Sequence, residues 1–522
     1  MEAHNQAVAA IASRVRQFSE RQQPFRIYHG STNSTRRSDK RPDNTVDTSR
    51  LDHVLSVDVN GSGTVVAEPN VPMDALVAAT LPHGLVPPVV MEFPGITVGG
   101  GFSGTSGESS SFRHGAFDAT VVRIEIVLPT GEVAHASRTE RPDLFWGAAS
   151  AFGTLGVVTL LEVRLIAAKP FVELEYHLAR SVADSVEQMR VETGRDDNDF
   201  VDGVVYSPDA VVICAGRMVD ALPNGTSQRR FTRARDPWFY LHVEKHVLPR
   251  LRKPGPDGAA AKDYIPLTDY LFRYDRGGFW AARWAFQYFR TPFNRATRFA
   301  LDPLMHTRVM YRALHKSGLS DFYMTQDVGV PLDKAPALAA WLVAEMPGIM
   351  PLWLCPLRLR RDGGPNAAHG LHSSFADPGA CPDLLNFGIW GPLPSPSSSD
   401  GRKDVVRLNR ALEAKVAELG GKKWLYAQAF YTEDEFWAHY DRASYDALRA
   451  KYGAAYLPSV YDKVKVDVEA EEAAARATRA ARLKHRLFRV WPVRGLYGVY
   501  KALEGGDYLL QKTRRPAQAS GK

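Results

Sequence analysis

The protein has 522 residues, of which 45% are hydrophobic and 24% charged, an ordinary globular balance that leaves room for more than one domain. Three widely spaced cysteines (Cys214, Cys355, Cys381) with no C-x-x-C argue against a disulfide scaffold or a cysteine-rich zinc site and suit a reducing compartment. From Arg476 to Lys522 twelve Lys and Arg face two acids, a net of +10; the full sequence sums to +7, which leaves residues 1–475 at −3. The basic character therefore belongs to the tail, which suits an anionic surface such as a membrane better than a nucleic-acid site spread over the fold.

Taken in order, Ala7, Val8, Ile11, Val15 and Phe18 recur at helical spacing and predict an amphipathic opening helix. No signal peptide or spanning segment is expected: Met1 to Glu20 alternates charge with alanine, and the most apolar stretch, Ala335 to Cys355, reads as buried core. A strand from Phe25 to His29 runs into Gly30-Ser31-Thr32-Asn33-Ser34-Thr35, a small hydroxyl-rich turn able to donate to phosphate. Val54 to Val59 and Thr64 to Ala67 flank Asn60-Gly61-Ser62-Gly63 and predict a hairpin. Pro72 to Leu81 predicts a helix with proline in its first turn.

Met91 to Gly115 is the stretch around which the sequence is organised, with seven glycines among twenty-five residues and serines and threonines between them. Without Cβ atoms the backbone N–H groups can approach an anion, so the stretch suits a phosphate or pyrophosphate. Gly99, Gly101 and Gly104 spell G-x-G-x-x-G, but Pro94-Gly95 precede them and further glycine and serine follow. No helix is expected there, and a dinucleotide fold of strand, turn and helix is rejected. Strands follow at Ala119 to Leu128 and Val133 to Ala136, then a helix at Arg141 to Ala149, the turn Gly153-Thr154-Leu155-Gly156 and a β-branched strand, Val157 to Ile166.

Beyond Lys169 aromatics and arginines become dense, as in Trp238-Phe239-Tyr240 and Trp284-Ala285-Phe286-Gln287-Tyr288-Phe289, which predicts a second domain built for a large apolar ligand or for packing. Glu469 to Trp491 reads as a basic helix stopped by Pro492. No G-x-S-x-G elbow surrounds Ser103 or Ser106, and His242-Val243-Glu244-Lys245-His246 is not H-E-x-x-H, so no hydrolase nucleophile and no metal site are predicted.

The ordered series formed by the hydroxyl-rich turn, P-G-I-T-V-G-G, G-x-x-S-S-x-x-x-G, L-P-T-G-E, D-L-F-W and G-T-L-G-V-V-T resembles the FAD domain of the vanillyl-alcohol oxidase/p-cresol methylhydroxylase family. Within it, Gly107-Glu108-Ser109-Ser110-Ser111, Asp236-Pro237-Trp238-Phe239, Tyr264-Ile265-Pro266-Leu267, Trp353-Leu354-Cys355-Pro356 and Val460-Tyr461-Asp462-Lys463 are similar to the delta(24)-sterol reductases. The resemblance covers roughly residues 20 to 465. It implies an α+β protein with a two-subdomain p-cresol-methylhydroxylase-type FAD-binding domain (1–168), an α+β substrate or cap domain (169–424), a segment returning to the FAD domain (425–465) and a basic helical tail (466–522).

By position, the resemblance implies that Gly30, Ser31, Thr32, Asn33, Ser34 and Thr35 hold FAD from one side. Gly95, Thr97, Val98, Gly99, Gly100, Gly104, Ser109, Ser110 and Gly115 would hold it from the other, with Thr154, Gly156 and Val157 around the adenosine half. Covalent-flavin members carry a histidine inside the first turn, where this sequence has Asn33 and Ser34, so noncovalent FAD is expected. The implied activity is reduction of an isolated carbon–carbon double bond, of the delta-24 type, in the tail of a sterol or related terpenoid, with NADPH as transient electron donor. The alternatives are an oxygen-using flavin oxidase or dehydrogenase acting on an alcohol or sugar lactone, and a nonenzymatic membrane-associated binding protein. Tyr426, Tyr461 and Lys463, with Tyr431 and Asp462 beside them, are the candidate proton donors. The expected partners are a sterol-like substrate and a membrane surface met by the tail. The expected location is the cytoplasmic side of the endoplasmic reticulum membrane or the cytoplasm, held peripherally because the sequence opens without an apolar anchor.

Overall fold

The protein is described from a computed structural model over residues 1–30, 34, 41–253, 261–359, 361–377, 379, 381–393, 401–488 and 490–505. The opening helix, Glu2–Glu20, buries Val8, Ile11, Val15 and Phe18 on one face, as its spacing requires. Two short strands, Arg26–Tyr28 and Thr45–Asp47, pair in parallel beneath it.

A five-stranded sheet follows, in the order Val54–Asp58, Thr64–Ala67, Val157–Arg164, Val121–Val127, Val133–Ser137, with every pairing antiparallel. The β-branched strands predicted from the sequence supply it, because branched side chains fit a pleated surface packed on one face. An antiparallel sheet is the firm reason to reject a dinucleotide fold built on parallel βαβ units. The expectation that no helix starts near Gly99 needs correcting. Val98–Gly104 is a short helix whose N-cap, Thr97, accepts a hydrogen bond from the Gly100 N–H. Glycine weakens a helix by about 1 kcal/mol per residue relative to alanine, but here packing overrides propensity. A Cβ on Gly99 would lie 2.7 Å from Pro69 Cβ, and one on Gly101 would run into Met91 and Phe117.

The second sheet has eight strands, in the order Ala261–Pro266, Phe171–Ala179, Ala210–Val219, Phe200–Ser207, Leu352–Leu357, Leu384–Pro392, Tyr323–Pro331, Lys422–Lys423. Side chains alternate across a strand, and the alternation divides the labour of this sheet. Met324, Val328, Val330, Leu352, Leu354, Leu385, Phe387 and Ile389 pack with Leu338, Leu342, Leu408 and Leu412 of the helices Ala335–Glu345 and Gly401–Glu418. Each large aliphatic or aromatic side chain buried there contributes roughly 1.5–3 kcal/mol. The intervening residues Tyr323, Thr325, Asp327, Trp353, Leu357, Asn386 and Trp390 face the other way, into a cavity.

Beyond the second sheet the backbone reaches back to the N-terminal region. Trp424 donates its indole N–H to the Thr105 carbonyl at 3.0 Å, the Tyr445 hydroxyl reaches Thr154 Oγ1 at 2.7 Å and the Tyr456 hydroxyl reaches the Pro129 carbonyl at 2.7 Å.

Among the described residues the tail forms three helices rather than one: Val468–Arg476, Arg479–Phe488 and Val493–Glu504. Pro492 does stop the second, and it also stands as N-cap of a third helix that the sequence pattern did not reveal. This last helix lies against the helix Thr307–Ser317 at Gly498, while Gly495 packs on Tyr288 and Phe289. The approach is close enough that a Cβ on Gly498 would lie 2.6 Å from the Ala313 carbonyl oxygen. Among the described residues, no helix is long and apolar enough to cross a membrane.

Candidate functional site

A cavity of about 940 Å³ runs between the two halves. One wall is mainly backbone: Gly95, Thr97, Gly99, Gly100 and Gly104 on one side, Gly153, Gly156 and Val157 on the other, with His29 and Ser34 between. The other wall is the cavity face of the eight-stranded sheet, roofed by aromatics. Phe279 stacks on Tyr274 with ring centroids 3.9 Å apart and also meets Phe93 at 5.7 Å and Trp390 at 4.4 Å. Beyond that roof the cavity continues past the helices Ala281–Tyr288 and Thr307–Ser317 to Trp491, Leu496, Val499 and Ala502 of the tail.

FAD fits the backbone wall on two observations. A Cβ on Gly100 would meet only Thr97 Oγ1, at 3.1 Å, and one on Gly104 only Ser106 Oγ, at 3.4 Å. The space against these two glycines is therefore left for a ligand rather than filled by the protein. Second, Glu92 Oε1 and Asn386 Oδ1 are buried on the cavity wall with no hydrogen-bond partner in the protein, and a buried polar group without a partner costs free energy unless a ligand satisfies it. Gly156 is fixed for a different reason: its φ of +140° and the Val127 carbonyl 2.6 Å from a built Cβ exclude any side chain.

Of the residues expected to hold the cofactor, Ser34, Gly95, Thr97, Gly99, Gly100, Gly104, Gly156 and Val157 line the cavity. Ser31, Thr32, Asn33 and Thr35 lie outside the described residues. Gly30, at φ +73°, makes the turn that leads to them. Five other expected contacts do not stand on the cavity wall. The side chains of four are spent elsewhere. Val98 is fully buried in the core. Ser109 Oγ donates to Glu108 at 2.7 Å, and Ser110 Oγ to the Pro88 carbonyl at 2.6 Å. Thr154 Oγ1 donates to the Ala151 carbonyl at 2.8 Å and receives Tyr445. The fifth, Gly115, turns the backbone at φ +80° beside Ala119 and is not part of the cavity wall.

The candidate proton donors divide in the same way. Tyr426 lines the cavity, and its hydroxyl donates to Asp327 Oδ2 at 2.5 Å. Lys463 lines it at the Gly153 end, donating to the Phe152 carbonyl at 2.6 Å. Tyr461 is not on its wall; its hydroxyl donates to the Tyr431 carbonyl at 3.4 Å. Tyr431 is buried beneath Lys423, and Asp462 caps its own helix by accepting from Ser459.

Two carboxyls that the sequence pattern did not single out matter more. Asp327 is buried; burial pushes its pKa up to about 6, against the hydrogen bonds from Tyr426 and Asn386 that favour the charged form. Burial also pushes the Glu92 carboxyl well above the usual range, helped by the nearby charge of Glu108. Glu92 stands as a lone acid in an otherwise apolar run, Val89-Val90-Met91-Glu92-Phe93, which is a signal a sequence reading can use; Asp327 follows Thr325-Gln326 and carries no such signal. Behind the roof, Asp202 accepts from Arg273 at 2.8 Å, Tyr274 at 2.8 Å and Trp353 at 3.1 Å, a buried knot that fixes the aromatic wall.

Residues 4–137 match the FAD binding domain family. The protein is 30% identical to the delta(24)-sterol reductase of Homo sapiens over 420 residues, 79% of its own length and 76% of that protein. It is 29% identical to the delta(24)-sterol reductase of Pisum sativum over 465 residues, covering 83% and 78%. To the delta(24)-sterol reductase homolog of Caenorhabditis elegans it is 28% identical over 439 residues, covering 80% and 78%. Animal and plant relatives thus align with most of this sequence, and Gly95 to Gly104 of the backbone wall fall inside the matched FAD binding domain. The protein belongs to the delta(24)-sterol reductase family and is an FAD-dependent oxidoreductase.

Proposed function

We propose that the protein reduces an isolated carbon–carbon double bond in the tail of a sterol or related terpenoid, with NADPH as the electron donor and FAD held without a covalent bond. The observation that carries this reading is the shape and lining of the cavity: one continuous space joins the glycine wall to a long aromatic and aliphatic roof. A rigid apolar molecule with an alkene at one end suits such a space. An alcohol or sugar lactone would leave most of the roof without contact.

An isolated alkene has no carbonyl to polarise it, so reduction needs a proton donor and a hydride donor in a dry site. When bound, reduced FAD would supply the hydride. The Tyr426 hydroxyl hands a proton to the less substituted alkene carbon, leaving tertiary cation character on the other carbon to accept the hydride. Asp327, protonated at the start, hands its own proton to the Tyr426 oxygen and is left as a carboxylate until solvent recharges it. With Asp327 ionised, the Tyr426 hydroxyl stays turned toward the carboxylate through its 2.5 Å hydrogen bond. Glu92, whose burial favours the neutral carboxyl, keeps an unpartnered carboxyl oxygen on the cavity wall.

The tail supports peripheral membrane contact as part of this reading. Leu496, Tyr500 and Leu503 are 55%, 60% and 68% exposed on the same helix that contributes Val499 and Ala502 to the cavity. Leu483 and Leu487 stand exposed beside the basic Arg479, Arg482 and Arg486. Aliphatic anchors with basic flanks suit the interface of an anionic leaflet, where a sterol-like substrate is dissolved.

The test is direct. Under nitrogen, NADPH should bleach the flavin, and added desmosterol-like sterol should restore its absorbance with a product heavier by the two hydrogens added. Fast reoxidation by air together with unchanged sterol would replace this reading with the oxidase.

A further inference from the structure

On the far edge of the eight-stranded sheet lies a second cleft, of about 1160 Å³, that takes no part in the site above. The turn Val243–Val247, the helix Leu248–Arg252, the strand Ala261–Pro266 and the helix Arg295–Ala300 enclose it. Its lining is strongly cationic, and most of the nearby acidic charge is already committed. Asp263 accepts from Tyr176 at 2.8 Å and pairs with His242 at 2.6 Å, and Asp236 accepts the backbone N–H of Arg233 at 2.9 Å. Arg276, Lys262 and Arg229 are paired with Asp302, Glu173 and Asp263.

Five cations on the lining remain: Arg235, Lys245, Arg250, Arg295 and Arg298. None makes an ion pair with any described residue. Like charges gathered around one concave space repel one another in the protein alone and are relieved by a bound anion. A second observation points the same way. The cleft wall includes Trp238, only 1% exposed, whose indole N–H has no acceptor, and Arg298 beside it has a buried Nη1 with no partner, its guanidinium 5.8 Å from the Trp238 ring centroid. Two unsatisfied donors on the wall of a cationic cleft describe a site for several acceptor oxygens. Phe299, 57% exposed on the same lining, adds an aromatic face next to them.

We propose that this cleft binds a phosphate-bearing ligand, the oxygens meeting the arginines and the Trp238 N–H while an apolar or aromatic part of the ligand lies on Phe299. A phosphorylated nucleotide and a phospholipid headgroup share this chemistry. Arginine is suited to it because its planar fork engages two phosphate oxygens at once. The inference does not depend on the reaction proposed above, since binding is read without turnover.

The experiment uses the full-length FAD-loaded protein, with the flavin spectrum as the check that variants are folded. Calorimetric titration with adenosine 2′,5′-bisphosphate tests the nucleotide, and flotation with phosphatidic acid vesicles tests the lipid. Arg235→Glu and Arg295→Glu change exposed side chains and should each weaken binding by about tenfold, with the double variant below detection. Reversal-sensitive binding of the bisphosphate assigns the cleft to a soluble nucleotide, and reversal-sensitive binding confined to the vesicles assigns it to a lipid headgroup. Either result supports the proposal. It is overturned if neither probe binds, or if the charge-reversed proteins bind as tightly as the parent.

Discussion

One wall of the cavity is drawn from short contiguous runs of backbone, whereas the opposite wall is drawn from single side chains on strands far apart in the sequence. Gly95 to Gly104 and Gly153 to Val157 act through the absence of side chains, so the stretch that contributes to the site is also the stretch that can be read. Asp327, Trp353, Asn386, Trp390 and Tyr426 act through side chains that meet only because the order of strands in one sheet sets them side by side: Asn386 stands two residues from the register partner of Asp327. The contrast teaches a division of roles. On the proposed reading, cofactor binding rests on backbone approach and is expected to tolerate no branched side chain at Gly104, while substrate chemistry rests on a few functional groups whose exchange is expected to leave the fold intact.

The largest effect should come from the backbone wall. Gly104→Val should give a protein purified without colour, because the branched side chain enters space that the protein leaves open for FAD. Gly101→Val is the contrast: its side chain would run into Met91 and Phe117, so it should lower the melting temperature of the apoprotein itself. Full flavin occupancy in Gly104→Val would show that the cofactor wall lies elsewhere.

Exchanging functional groups on the opposite wall should leave the yellow colour and slow the chemistry. Tyr426→Phe and Asp327→Asn are each expected to reduce sterol turnover by about 10² to 10⁴-fold, the usual range for a positioned proton donor, with flavin reduction by NADPH unchanged. Single-turnover reoxidation of the reduced flavin by sterol separates the two steps. If the variants reoxidise as fast as the parent, the proton comes from elsewhere, with Glu92 the next group to change.

Asp327 also makes the comparison measurable by pH. Its folded pKa of about 6 lies above the ordinary 3.8, so between these values the folded protein holds a proton that the unfolded state has lost. The contribution of Asp327 to stability is therefore greatest below pH 4 and falls as pH rises toward 6, by at most roughly 3 kcal/mol. Asp327→Asn should remove that fall, which thermal melts of the two proteins across pH 4 to 7 would show. Turnover of the parent should decline above about pH 6, as the carboxyl that recharges Tyr426 ionises.

What the sequence made legible follows the same division. Periodicity in Ala7 to Phe18 and the alternation around Asn60-Gly61 placed a helix and a hairpin correctly, because local spacing alone decides which face is buried. The short helix at Val98 escaped, since its stability comes from Pro69, Met91 and Phe117 packing on glycines rather than from helix propensity. Tyr426 was legible only as one tyrosine among several near the returning segment. What distinguishes it is Asp327, ninety-nine residues away, and no local pattern carries that pairing. Ser109, Ser110 and Thr154 show the converse: they carry the right motif, but their hydroxyls are engaged with Glu108, Pro88 and Ala151.

The smallest expected effect concerns the tail, which belongs to both kinds of region. Its last helix is held by backbone approach at Gly495 and Gly498 and by the Trp491 N–H on the Tyr288 carbonyl at 2.7 Å. Its outer face offers side chains, Leu496, Tyr500 and Leu503. Removing the tail after Val468 would therefore open the cavity as well as strip the proposed membrane contact, and the two losses could not be told apart. Changing only the outer face separates them. Leu496 touches both the cavity and solvent, so the informative variant is Tyr500→Ser with Leu503→Ser, which leaves the helix-to-helix contact in place. Sedimentation with anionic liposomes should fall several-fold, at about 25 cal/mol for each Å² of apolar surface withdrawn from the interface. Flavin content and turnover of detergent-dispersed sterol should not change, while turnover of sterol held in vesicles should fall in step with sedimentation. If vesicle-borne sterol is consumed at the parent rate, the apolar outer face has another use and the membrane contact is wrong. If dispersed sterol is also lost, the helix serves the cavity alone.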